Sequence, residues 1–116
     1  MMTKMGKKLV YIASPYSNPD DRVRYENYLI VTKIASDLVS KGIIAISPIT
    51  YGHVLSEHSK MPTDWEFWEN FCISLLEKCD EILICNTMAG WEESRGVRAE
   101  IEFAKKMGIK IKYLKE

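Results

Sequence analysis

The chain is poor in cysteine and histidine, and none of its apolar runs exceeds five residues. Cys72, Cys79 and Cys85 form an odd set without a C-x-x-C pair, and His53 and His58 lie five apart, off a shared helical face. That spacing predicts neither a metal site nor a disulfide framework, and hence a reducing, cytoplasmic setting. Runs such as "LVYIA" are too short to cross a bilayer, and no apolar signal-like stretch stands near the N-terminus. Sixteen basic residues balance sixteen acidic ones, so no net field draws the protein to nucleic acid or an anionic membrane. Lysines cluster in "KMGKK" and "KKMGIKIKYLKE", where they read as solvated flanks that blunt strand edges. The six glycines form neither a P-loop nor a dinucleotide fingerprint, and no internal repeat is present.

What remains is an ordinary globular composition, 47% hydrophobic and 28% charged, in 116 residues, which is room for one core. "KLVYIA" (8–13), "IIAIS" (43–47), "EILIC" (81–85) and "IKIKYL" (109–114) read as strands, the second of them buried like the first. Between the first two, Tyr28, Val31, Ala35 and Leu38 recur at helical spacing over about 21–41, closed by Gly42. "ITYGHVLSEHSKMP" (49–62) lacks a clear period and predicts a long loop with at most a short helical turn. Thr63, with Glu66 three residues on, suggests a capping box for a helix through about residue 78 carrying Trp65, Trp68, Cys72, Leu75, Leu76 and Cys79. Ser94 caps a last helix with the stripe Val97, Ile101, Ala104 and Met107, ended by Gly108. Strands alternating with helices predict a single α/β domain, a flavodoxin- or Rossmann-like three-layer sandwich with a parallel sheet of four or five strands.

Ligands of such sheets collect beyond the carboxyl ends of the strands, which here carry "SPYS", the 49–62 segment and "NTMAGWEES". Glu100 lies in the second turn of the last helix, beside its apolar stripe and on the face that leans towards Ser14, Pro15 and Tyr16. Partial desolvation there raises a carboxylate's pKa and the helix start lowers it. Two readings stay open: a poised nucleophile, or a capping glutamate paired with Arg95 or Arg98. "SPYSNPDDR" offers Ser14, Ser17, backbone amides and Arg22 to a phosphate or a sugar hydroxyl, though a plain turn explains it as well. Gly90 and Gly96 permit close backbone approach around Ser94. Trp65, Trp68 and Trp91 stand near the same mouth, able to stack on a base or simply to fill the core. Tyr11, inside the first strand, either packs or points its hydroxyl at Glu100.

"VYIASPYS" followed by "GWEESRGVRAEIEFAKKMGIKI" resembles the nucleoside 2-deoxyribosyltransferase-like superfamily, in particular its small bacterial and phage branch, DUF1937. The resemblance spans nearly the whole chain. It implies cleavage of an N-glycosidic bond in a nucleoside or nucleoside 5′-monophosphate, by hydrolysis or base transfer, without metal or redox cofactor. It implies Glu100 as the nucleophile towards C1′, oriented by Tyr11, with Ser94 on a 5′-phosphate. Ser14 to Ser17 then surround sugar and phosphate, and Arg22 offers a phosphate partner. The aspartate that relatives carry before the third strand falls on Cys72, a poor general acid. Glu69 or Asp64 is then left to supply a carboxyl group; otherwise the protein is a non-catalytic nucleotide-binding module. Relatives assemble as dimers or larger oligomers, which predicts a homo-oligomer here.

Overall fold

Apolar, β-branched residues that alternate between two helical layers force the first strand into the centre of the sheet. A computed structural model describes residues 7–116. Its elements, in chain order, are β1 (Leu9–Ala13), α1 (Asp21–Ser40), β2 (Ile44–Ile46), α2 (Pro48–Ser59), α3 (Trp65–Glu77), β3 (Glu81–Ile84), α4 (Arg95–Met107) and β4 (Lys110–Tyr113). The four strands form one parallel sheet in the order β2-β1-β3-β4. Tyr11 and Ala13 face α3 and α4, where Cys72, Leu76, Ile82, Ile84, Val97 and Ala104 complete one core. Ile12 faces the opposite way and packs with Val31, Cys85 and Met88 under α1. The fold is therefore the expected Rossmann-like sandwich, with four strands.

The strand order reverses between β1 and β3, because the chain runs outward from β1 to β2 and then crosses back. In parallel sheets that reversal leaves a crevice beyond the carboxyl ends of the strands.

Four local expectations are corrected. Strand β2 is not buried: Ile44 and Ile46 are 49% and 36% exposed, since β2 is an edge strand and only Ala45 turns towards α1. The segment after β2 is the helix α2, not a loop. Its start is well signed, because Ser47 Oγ accepts from the Thr50 amide at 3.1 Å and Pro48 sits at the first helical position. Helix α3 begins one residue later than a Thr63 cap requires. Asp64 is its N-cap and makes no side-chain cap bond. On α4, the buried positions are Val97, Glu100 and Ala104, while Met107 lies half exposed in the last turn. The inward stripe thus includes a carboxylate where an aliphatic residue is the ordinary occupant.

Candidate active site

Glu100 is held by its register on α4. Ser94 Oγ accepts from the Val97 amide at 3.2 Å and fixes the helix start, so the residue three beyond Val97 must face the sheet. There the Tyr11 hydroxyl, carried by the central strand, donates to Glu100 Oε2. Both side chains are buried. Burial pushes the Glu100 carboxyl up to about 8, and the Tyr11 hydrogen bond partly opposes the rise. Tyr11 is itself driven well above the usual phenol range, by burial first and by the Glu100 charge second.

Beside this pair opens a cavity of about 620 Å³, within the range of small-molecule sites. Glu100, Cys72 and Ser14 are buried residues of its lining, as are Gly52, His53 and Ser56 on α2. Ser14 is 7% exposed and its buried hydroxyl has no hydrogen-bond partner among the described residues, which is rare for a buried polar atom unless a ligand or water completes it. The Cys72 thiol is pushed up to about 12 by burial and by the neighbouring Glu100 carboxylate. A thiol in that state does not give up a proton at ordinary pH.

Hydrogen bonds tie the walls together. Tyr16 Oη meets His53 Nδ1 at 2.8 Å, linking the β1 loop to α2. The Ser17 hydroxyl donates to the Thr63 carbonyl at 3.0 Å, and Trp68 Nε1 donates to the Pro62 carbonyl at 2.8 Å. Trp65 and Trp68 lie against two glycines: ideal Cβ atoms on Gly96 and Gly52 would stand 3.0 Å and 3.4 Å from the respective rings. These two indoles are wall elements, half-buried, not free surface aromatics.

The structure brings Ser14, Pro15, Tyr16, Ser17, Asp64, Trp68, Gly90, Ser94 and Gly96 onto the wall around Glu100, with Tyr11 directly behind it. It leaves three expected residues off the wall. Arg22 is exposed at the start of α1, Glu69 is exposed on α3, and Trp91 packs edge-on against Tyr113. The expected phosphate cradle is therefore not assembled. Arg22 is outside and Ser17 already donates to Thr63, which leaves the Ser14 and Ser94 hydroxyl protons to offer. Nor is Glu100 tied to arginine: Arg95 pairs with Glu66, and Arg98 Nε donates to the Glu92 carbonyl at 2.9 Å.

Sequence reasoning missed His53, Glu26 and Asn27 as cavity residues. His53 is stacked on Tyr28 with ring centroids 4.1 Å apart, and burial holds its pKa below the usual range. The readable signal was the Ser47-Pro48 cap, which makes 48–59 a helix and places Gly52, His53 and Ser56 on one inward face.

Against this geometry stands one comparison. The family described as "Domain of unknown function (DUF1937)" matches residues 8–116. The chain belongs to this family. Its match runs from the start of β1 past β4, and so takes in every element that builds the cavity. No curated protein matches the chain.

Proposed function

We propose that the protein cleaves the N-glycosidic bond of a nucleoside, or of a nucleoside 5′-monophosphate, through a covalent glycosyl ester of Glu100. The observation that carries this reading is the Tyr11–Glu100 pair at the buried end of a cavity large enough for a nucleoside. The resemblance of "VYIASPYS" and "GWEESRGVRAEIEF" to nucleoside 2-deoxyribosyltransferase-like proteins points the same way. In the first step a Glu100 oxygen attacks C1′ as the C1′–N bond breaks, through an oxocarbenium-like transition state. Water then displaces the ester with overall retention, or an incoming base does so in transfer, as in two-carboxylate glycosidases that form a covalent intermediate. Tyr11 donates to Glu100 throughout, keeping the attacking oxygen aimed and favouring the ionised form. Ser14 offers its unpaired hydroxyl to the sugar. The dispersed cradle argues for a free nucleoside over its monophosphate.

The test is incubation with a panel of nucleosides and their 5′-monophosphates, with free base followed by chromatography. Release that disappears in Glu100→Ala is expected. Absence of release from every substrate, with wild type and variant alike, rejects catalysis.

One observation favours a second reading. Cys72 stands beside Glu100 where a general acid is useful, and its thiol does not serve as one. A binding module without turnover then predicts that nucleosides raise the melting temperature while the glycosidic bond stays intact.

A further inference from the structure

The wall of the cavity is lopsided in charge. Its acids are Glu26, Asp64, Glu93 and Glu100, against Arg95 and His53. Arg95 is already paired with Glu66, and burial disfavours the charged form of His53. Arg24 is held by the Asn18 carbonyl and the Asp21 carboxylate behind the wall; its charge acts on Tyr16 and His53, but it does not itself line the cavity. Glu26, Asp64 and Glu93 have no ion-pair partner among the described residues. Clefts lined by one sign of charge focus the field on what enters, and this one favours a cation. The unpartnered Ser14 hydroxyl in the same cavity independently calls for a polar ligand.

The second half of the reasoning is chemical. A neutral nucleoside loses its base as an anion unless something protonates it, and general-acid help of that kind contributes about 10²–10⁴-fold. At the buried end of the cavity the position beside Glu100 is a thiol. A heterocycle that is already positively charged needs no such help, because it departs neutral.

Resting on the glycosidase reading above, we infer that the substrate is an N-glycoside whose leaving heterocycle is already a cation, such as an N-ribosylpyridinium, and that it carries no 5′-phosphate. A Glu100 oxygen forms the C1′–O bond while the C1′–N⁺ bond breaks. The bonding pair goes to the ring nitrogen, and the heterocycle leaves uncharged with no proton moved. Water then attacks C1′, the ester pair returns to the Glu100 carboxylate, and the water's proton goes to solvent. The balance is cationic glycoside plus water giving neutral heterocycle, free sugar and one proton. The bound cation also favours ionised Glu100, so the substrate itself helps to generate the nucleophile. Tyr16 and Trp68, both on the wall, bring aromatic rings to the cavity, where a positive heterocycle is favoured.

The experiment compares N-ribosylnicotinamide, its 5′-monophosphate, inosine and guanosine as substrates of the full chain, with free base measured by chromatography. The pyridinium nucleoside is expected to show kcat/KM at least about 100-fold above the neutral nucleosides. Its 5′-phosphate should lower that value about tenfold by repulsion from the carboxylates. Because pyridinium glycosides are also intrinsically more labile, Glu26→Gln combined with Glu93→Gln separates recognition from reactivity. The double variant should raise KM for the cation about threefold to tenfold and leave KM for inosine unmoved. Neutral nucleosides cleaved within about threefold of the pyridinium, or a phosphate that improves kcat/KM, overturn this inference and leave the glycosidase reading standing. An unmoved KM in the double variant overturns it too. If nothing is cleaved, the glycosidase reading fails, and calorimetric binding decides the charge preference alone. Tighter binding of the pyridinium than of inosine sustains that preference, and equal or no binding rejects it.

Discussion

Glu100 takes one of the three buried positions on α4, and its neighbours there are Val97 and Ala104. A carboxyl so placed titrates near 8 in the folded protein against 4.5 as an ordinary glutamate. Between those two values the folded state binds the proton more tightly than the unfolded chain does. Stability contributed by this group is therefore full below about pH 4.5 and is lost as pH rises towards 8. Glu100→Gln removes the titration. It should gain on wild type by roughly 3–5 kcal/mol between pH 5 and pH 9 in urea unfolding, and a constant difference across that range contradicts the assignment. On the proposed function the same proton controls chemistry, since only the ionised form would attack C1′. On the proposed reading kcat/KM climbs with pH up to about 8 and then levels. Tyr11→Phe takes away the bond that favours the carboxylate. It should move the acid limb to higher pH and lower activity at neutral pH about 10- to 100-fold, the worth of a hydrogen bond to a charged group. A reduced rate with an unmoved limb makes Tyr11 merely a packing residue.

At the level of elements, the two tryptophan–glycine contacts set opposite expectations. Alanine is favoured over glycine in a helix interior by up to about 1 kcal/mol. At Gly52 the new Cβ meets the Trp68 ring at 3.4 Å, an ordinary contact, so Gly52→Ala should raise Tm by a few degrees. At Gly96 it meets the Trp65 ring at 3.0 Å, and the indole must shift on the cavity wall. Gly96→Ala should gain no stability and should weaken nucleoside affinity, checked by calorimetric scanning together with a binding titration. This pair also marks what the sequence made legible. The strands, α1 and α4 follow from period and capping, because each is decided locally; the Tyr11–Glu100 pairing joins residues 89 apart and is one of two open readings of the sequence, favoured only by the family resemblance. Helix α2 escaped notice because its inward residues are Gly52, His53 and Ser56, too small and polar to register as an apolar stripe. His53 and Glu26 were lost with it, as their place on the cavity depends on α2 packing against α1 over the end of the sheet. Arg22, Glu69 and Trp91 erred in the other direction. Nearness in sequence to the right loop does not fix the direction of a side chain, and Trp91 found a partner in Tyr113 on β4 instead.

For the whole molecule, the helices α2 and α3 leave apolar surface without cover, as the edge strand β2 does. Tyr51 and Val54 on α2, and Phe67 and Phe71 on α3, are each 39–53% exposed, and the Tyr51 and Phe71 rings stack across the two helices at 5.9 Å. Contiguous aromatic surface of this kind marks interaction sites in soluble proteins. A homo-oligomer is expected from the family resemblance; the Trp65 and Trp68 rings are committed to the cavity, and the exposed aromatics are their helix neighbours. A symmetric dimer joined through α2 and α3 would bury Phe67 and Phe71 on both copies, since a two-fold interface uses the same patch twice. Light scattering coupled to size exclusion should then give about twice the chain's 13.4 kDa at tens of micromolar. Phe71→Glu should halve that mass, because two buried, unpaired carboxylates oppose one another across the axis. The consequence reaches the site as well. On α3 the exposed Phe67 and Phe71 rings pack edge-on against Trp68, which lines the cavity, so loosening them loosens the cavity wall. Nucleoside affinity should therefore fall in Phe71→Glu although the side chain lies off the cavity. A monomeric wild type with full affinity would leave the aromatic face without this role.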